Sequence, residues 1–198
     1  MRASILAALL LTAPMAQAEN LQTAVLAGGC FWCVESDFDQ VPGVRETISG
    51  YAGGTTENPT YKQVVRGGTG HAEVVKITYD ADIIEYSELL HIFWRTIDPT
   101  DAGGQFCDRG ASYRSEVFVT SVEEQAIAAA SKAEAEAALG QPIVTEISTL
   151  SAFYPAEGYH QDYYLKNPFR YKTYRNGCRR DATVKAVWGD EAALLHGS

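Results

Sequence analysis

The sequence predicts a single mixed α/β domain, of the α/β or α+β class. Short apolar or alternating runs, the mark of strands, are interleaved with stretches of helical periodicity. The 198 residues suit one domain and can bury a core without disulfide staples. With 46% hydrophobic and 21% charged residues, the composition is that of a folded globular chain rather than a disordered one.

The elements follow in order. Thr23 to Ala27 is a short apolar run ending at Gly28-Gly29 and reads as a buried strand. A helix is expected from Cys30 to about Gln40, with Val34 and Phe38 at helical spacing. Val44 to Gly50 alternates weakly, as a strand would. Residues 53–69, rich in Gly, Thr, Asn and Pro, read as a long loop. Glu73 to Tyr79 alternates, placing Val75, Ile77 and Tyr79 on one face of a strand. Tyr86 to Ile97 forms an amphipathic helix with Leu89, Leu90, Phe93, Trp94 and Ile97 on its apolar side. Residues 98–112 are a second loop. Ser115 to Thr120 is a strand, and Ser121 with Glu124 is a capping box opening a helix that Gly140 ends. Ile143 to Leu150 is the last strong strand. An aromatic-rich stretch from Phe153 to Tyr174 and a polar tail from about residue 176 follow. Two long loops in a compact domain mark functional segments.

Charge narrows the partners. The chain has 16 basic and 25 acidic residues, for a net charge of −9, which argues against a nucleic-acid partner. The acidic surface and the lack of an evident apolar stripe favour a monomer. Residues 1–18 read as a cleaved export signal: Arg2, an apolar run from Ile5 to Leu11, and Ala16-Gln17-Ala18 before Glu19. That run is too short to span a bilayer, and no other segment is apolar enough, so no membrane partner is expected. Residues 19–198 are then one catalytic domain in an oxidising compartment, most simply a bacterial periplasm.

The sharpest motif is Gly29-Cys30-Phe31-Trp32-Cys33, placed where a strand gives way to a helix. A thiol at a helix N-terminus is expected to have a lowered pKa and to act as a nucleophile. Cys33, one turn on, can face Cys30 and displace a product from it as a disulfide. A zinc site would need a second pair of ligands, and Cys107 and Cys178, 71 residues apart, have no close Cys or His. His71, His91 and His160 are too scattered to bind a metal, so no metal is expected. By spacing alone, Cys30 and Cys33 equally fit a general thiol–disulfide oxidoreductase, and a Cys30–His160 protease pair has no supporting spacing. Cys107 reads as a buried free thiol. Glu73, opening a Val-rich strand, would have a raised pKa and could act as an acid. Tyr61 and Tyr113 lie in the two long loops.

Taken together, these residues resemble the type A peptide methionine sulfoxide reductases. The likeness rests on Gly28 to Cys33, Val41-Pro42-Gly43-Val44, residues 50–54, Asn58-Pro59-Thr60-Tyr61, Gly70-His71-Ala72-Glu73 and Asp108 to Ser115. It extends to Phe153, Glu157, His160-Gln161, Tyr163 and Asn167-Pro168, and so covers roughly residues 24–169. The resemblance implies a single ferredoxin-like two-layer sandwich with a mixed sheet and much coil. It implies reduction of the S epimer of methionine sulfoxide, free or in proteins, by a thioredoxin-like donor and without a cofactor. Cys30 would be the nucleophile and Glu73 the acid. Tyr61 and Tyr113 would hold the sulfoxide oxygen, Asp108 would help position the site, and Phe31 with Trp32 would receive the substrate methyl. Cys30 would end as a sulfenic acid, resolved by a second cysteine. Many members have Gly at the position of Cys33 and resolve with a tail cysteine. Here Cys33 and Cys178 are both present, Cys33 being preferred, and the end of the chain departs from the common pattern. Two other readings stay open: disulfide exchange by Cys30 and Cys33, and a binding module that uses Phe31 and Trp32 to hold methionine.

Overall fold

The structure, a computed structural model, describes residues 19–193 and 195; the export signal expected over residues 1–18 lies outside the described residues. In chain order the larger elements are β1 (Leu21–Gly28), α1 (Phe31–Phe38), β2 (Val44–Ala52), α2 (Tyr61–Arg66), β3 (Ala72–Asp80) and α3 (Tyr86–Trp94). A small hairpin follows, β4 (Gly104–Gln105) with β5 (Asp108–Arg109), then β6 (Ser115–Val119), α4 (Val122–Leu139), β7 (Glu146–Thr149) and β8 (Phe153–Pro155). The chain then runs through α5 (Tyr163–Lys166), α6 (Pro168–Gly177) and α7 (Arg180–Trp188).

The main sheet has the order β7-β6-β1-β3-β2-β8. Its inner four strands, β6-β1-β3-β2, are antiparallel throughout, which is the strand order of a ferredoxin-like sandwich. β7 adds parallel to β6 and β8 antiparallel to β2, so the sheet is mixed, as expected. Side chains of a strand alternate between faces. Val75, Ile77 and Tyr79 of β3 join the main core with Phe38, Leu89, Phe93 and Trp94 from α1 and α3. Ala72 and Val74 fall into a second cluster with Val25, Ala27 and Phe118. Glu73 has the parity of Val75 and therefore faces the helices, at the sheet's end nearest α1.

The N-cap and the closing glycine of α4 act as read, while the Glu124 carboxylate accepts from the Thr120 N–H and hydroxyl rather than closing a capping box on Ser121. The Ser121 hydroxyl accepts from the Glu124 N–H at 3.0 Å, and Gly140 closes the helix with a left-handed φ of 67°.

Four segments differ from the sequence reading. The first long loop contains α2, six residues begun by a Thr60–Gln63 capping box, too short and polar to show an apolar period. The second contains the β4–β5 hairpin. Only Glu146–Thr149 of the last expected strand pairs, while Phe153–Pro155 forms a further edge strand. The expected polar tail instead contains α7, whose Val184 and Trp188 enter the main core, the Trp188 indole donating to Ile97 O at 3.0 Å. Among the described residues, no helix is long and apolar enough to cross a membrane.

Cys107 is not a buried free thiol. It is exposed and forms a disulfide with Cys178, with Cα atoms 4.9 Å apart, tying the hairpin to the α6–α7 junction. A separation of 71 residues carries no information about pairing, which depends on how the loops return in space.

Candidate active site

β1 delivers the chain to Cys30 through Gly29. At φ +85°, a Cβ on Gly29 would lie 2.6 Å from Gln105 Cβ, so both the turn and the close approach demand glycine. Cys30 is the N-cap of α1 and is 6% exposed. The sheet brings Glu73 underneath it. Glu73 is 1% exposed, and its Oε2 accepts from the Phe31 N–H at 3.0 Å.

Tyr61 enters at the start of α2, where its backbone N–H donates to Glu157 Oε1 at 2.9 Å. Tyr113 arrives on a 3-10 turn after β5, and its hydroxyl is hydrogen-bonded to that of Tyr61. Cys30, Phe31, Trp32, Tyr61, Glu73, Asp108, Tyr113 and Tyr174 line one cavity of about 60 Å³, fit for a small polar head group. The structure thus gathers every expected acid, hydroxyl, apolar-wall and nucleophilic residue into one place. Cys33 lies behind Cys30 and does not line the cavity; Cys178 is held by Cys107. A wider groove of about 710 Å³ between Val41-Pro42 and α3 is lined by none of the expected site residues.

Burial, reinforced by the charges of Asp108 and Cys33, raises Glu73 to about 8 against the opposing bond from Phe31. It is therefore a neutral acid at pH 7. Burial and the charge of Glu73 raise Tyr61 to about 12 and Tyr113 higher still, so both phenols remain donors. Asp108 is raised by burial and receives a short hydrogen bond from the Tyr174 hydroxyl.

Cys30 differs from expectation. Burial raises its thiol above the ordinary value, and Cys33 and the charge of Glu73 add to this, while a hydrogen bond with Tyr174 acts the other way. The nearest free amide of α1 is given to Glu73 rather than to the sulfur. Cys33 is lowered instead, first by its hydrogen bond with Cys30 and then by the charges of Arg180 and Arg175. Its place in the cavity, not its acidity, sets Cys30 apart from Cys33.

Trp32 is locked from two sides. Its indole N–H donates to His160 Nδ1 at 3.0 Å, and its ring stacks on Tyr163 at 3.7 Å and 6°. His160 also packs on Phe31, Tyr61 and Tyr159, and burial lowers its pKa, leaving it neutral and part of the aromatic wall. The partners of Cys30 are Cys33 and Tyr174, so no Cys30–His160 protease pair is formed.

Sequence reasoning missed Tyr174. The only signal was its place in the aromatic-rich stretch, which gives no hint that one phenol bridges Cys30 and Asp108. Among the described residues, the ligand atoms of Cys107, Asp108 and Cys178 lie within 4.8 Å of one another, but the two sulfurs are bonded together.

Residues 22–192 match the family model "Peptide methionine sulfoxide reductase". The chain is 54% identical over 177 residues to peptide methionine sulfoxide reductase MsrA 2 of Rhizobium meliloti, covering 89% of this chain and 88% of that one. It is 49% identical over 173 residues to peptide methionine sulfoxide reductase MsrA of Bacillus subtilis, covering 86% of this chain and 98% of that one. Among solved structures it is similar to Mxr1 from Saccharomyces cerevisiae in reduced form. The TM-score is 0.73 at 34% identity, over 76% of this chain and 87% of that one. The same yeast protein in complex with Trx2 matches at a TM-score of 0.53 and 25% identity, over 77% of this chain and 91% of that one.

Proposed function

The chain belongs to the peptide methionine sulfoxide reductase family, and on that premise we propose how its own residues divide the work. It is an oxidoreductase that reduces methionine S-sulfoxide to methionine through a redox-active cysteine. The single observation that carries the assignment of roles is the cavity that joins Cys30 to Glu73, Tyr61 and Tyr113.

A sulfoxide sulfur accepts a nucleophile only when its oxygen is protonated or strongly hydrogen-bonded. Tyr61 and Tyr113 hold that oxygen, and neutral Glu73 gives it a proton. The Cys30 sulfur attacks the substrate sulfur, and its thiol proton returns Glu73 to the acid form. The protonated oxygen leaves the substrate sulfur as water. A water then attacks the Cys30 sulfur, and the Cys30–substrate S–S bond breaks with its electron pair going to the substrate sulfur. A proton is released, and methionine departs with Cys30 left as a sulfenic acid. The substrate sulfur is thus reduced by two electrons and Cys30 oxidised by two. Phe31 and Trp32 wall the methyl group, and Asp108 fixes Tyr174 against Cys30.

Cys33 resolves the sulfenic acid, since its side chain already meets that of Cys30. In this reading Cys178 can take part only after its bond to Cys107 is opened. A thioredoxin-like protein restores the dithiol; the yeast relative captured with Trx2 supports this class of donor. We further propose that the chain acts as a monomer in an exported, oxidising compartment such as a periplasm. The pattern of residues 1–18 and the Cys107–Cys178 bond support that location, because disulfides persist where the environment is oxidising.

The test is turnover of the separate S and R epimers with dithiothreitol, with Cys30→Ser as control. Turnover of the S form only, lost in the variant, is expected. No turnover of either form by a fully reduced protein would leave disulfide exchange as the next activity to assay. N-terminal sequencing of the protein from a periplasmic fraction should begin at Glu19.

A further inference from the structure

Two arginines from the end of the chain lie inside the protein. Arg175 of α6 is 6% exposed and Arg180 of α7 is 2% exposed. Both reach Asp37, itself 1% exposed: Arg175 Nη1 lies 2.9 Å from Oδ1 and Arg180 Nε 3.5 Å from Oδ2. Asp37 follows Cys33 by four residues on α1, so the two side chains share one helix face. Arg180 also donates through Nη1 to Gly28 O, and through Nη2 to Thr96 O, each at 3.1 Å. Its guanidinium therefore ties the carbonyl before the cysteine motif to the carboxylate one turn after Cys33. The Phe106 ring covers it at 4.6 Å.

Arg175 and Arg180 share the buried carboxylate of Asp37, and Arg180 also acts on the half-buried Asp108; at Cys33 the two guanidiniums outweigh Asp37. The further partner of Arg175, Asp181, is 41% exposed and screened by water. The other titratable groups facing Cys33 are Cys30, Glu73, Tyr171 and Tyr174, and burial pushes all four toward their neutral forms. Cys33 alone of this set is pulled toward its anion, first by its hydrogen bond with Cys30 and then by Arg180 and Arg175, with burial and Asp37 opposing.

We propose that Arg175 and Arg180 are positioning residues for disulfide formation: their buried guanidiniums, which Asp37 offsets only in part at this position, favour the Cys33 thiolate that attacks the Cys30 sulfenic acid. This rests on the reading that Cys33 resolves. In the step, the Cys33 sulfur forms a bond to the Cys30 sulfur, the S–O bond of the sulfenic acid breaks, and hydroxide leaves and takes up a proton as water. Cys33 is oxidised and the sulfenic sulfur is reduced. The final helices thus tune the resolving thiol, which explains why two long, normally exposed side chains are buried there.

The experiment is rapid-quench single turnover with methionine S-sulfoxide and no reductant, followed across pH. Methionine release and loss of trappable sulfenic acid are read as separate phases. Arg175→Gln should slow the second phase about tenfold relative to the first and move its midpoint to higher pH. Asp37→Asn should move that midpoint the opposite way, and Arg180→Lys, which keeps the charge, should leave it in place. Opposite shifts distinguish charge from mere support, since loss of packing would slow both phases alike. Arg175→Gln and Asp37→Asn shifting together, or neither shifting, would overturn the proposal. Should Arg175→Gln not fold, the direction of the Asp37→Asn shift decides. Cys33→Ser in the same assay separates the two layers: if it still loses its sulfenic acid at the wild-type rate, Cys33 is not the resolver; if it does not, only the arginine inference is at stake.

Discussion

The backbone N–H of Phe31 donates to the Glu73 carboxyl at 3.0 Å, so the first free amide of α1 serves the acid and not the adjacent sulfur of Cys30. The bond fixes the carboxyl one residue from the nucleophile. Burial still outweighs it, and Glu73 keeps its proton up to a pH of about 8. Glu73→Gln should therefore lower the rate of methionine formation about 10²–10⁴-fold, the usual contribution of a positioned acid. In the wild type, methionine formation should fall as pH rises through about 8, and the variant should lose that limb of the profile. Single-turnover rates from pH 6 to 10 check both.

Glu35, on α1 beside the cysteine motif, is fully buried, with Oε1 accepting from the Asp162 N–H at 3.1 Å. Burial raises it to about 7, so it titrates near 4.5 in the unfolded chain and near 7 in the folded one. Between those values the unfolded state releases the proton first, and stability falls as pH rises. The loss is roughly 3 kcal/mol and is complete above pH 7. Glu35→Gln should flatten that decline. Urea midpoints from pH 4 to 8 for both proteins measure it.

Gly29→Ala meets two obstacles, a φ of +85° and a Cβ placed 2.6 Å from that of Gln105. The backbone strain alone is of order 1–3 kcal/mol. The variant should unfold at lower urea and, by moving Gln105 or Cys30, should also lose activity.

Removing the Cys107–Cys178 bond by changing both residues to Ser should cost about 4 kcal/mol, as a cross-link closing a long loop implies. The variant should still form the Cys30–Cys33 disulfide after one turnover. Peptide mapping under non-reducing conditions shows which cysteines pair.

Most of the site was legible because its chemistry sits in short motifs at element ends. Cys30, Glu73, Tyr61 and Tyr113 each stand at a strand or helix terminus, or in a 3-10 turn, that the sheet converges on one cavity. The alternation of Val75, Ile77 and Tyr79 likewise gave both the strand and its face. The end of the chain was not legible, because Arg175 and Arg180 are buried there beside Tyr171, Val184 and Trp188, and arginine normally marks a surface. Helix α6 consequently shows no apolar stripe, α7 buries only Val184 and Trp188 of its apolar side chains, and the partners of their arginines, Asp37 and Gly28, lie over a hundred residues away in the sequence. The Cys107–Cys178 pair was hidden because 71 residues separate its members.

The most direct test uses Cys33→Ser with methionine S-sulfoxide, no reductant and a sulfenic-acid trap, followed by peptide mass spectrometry. The expected result is one methionine released per chain and the trapped oxygen equivalent on Cys30 alone. Methionine release without modification of Cys30, or a trap adduct on another cysteine, would contradict Cys30 as the sulfur that is oxidised.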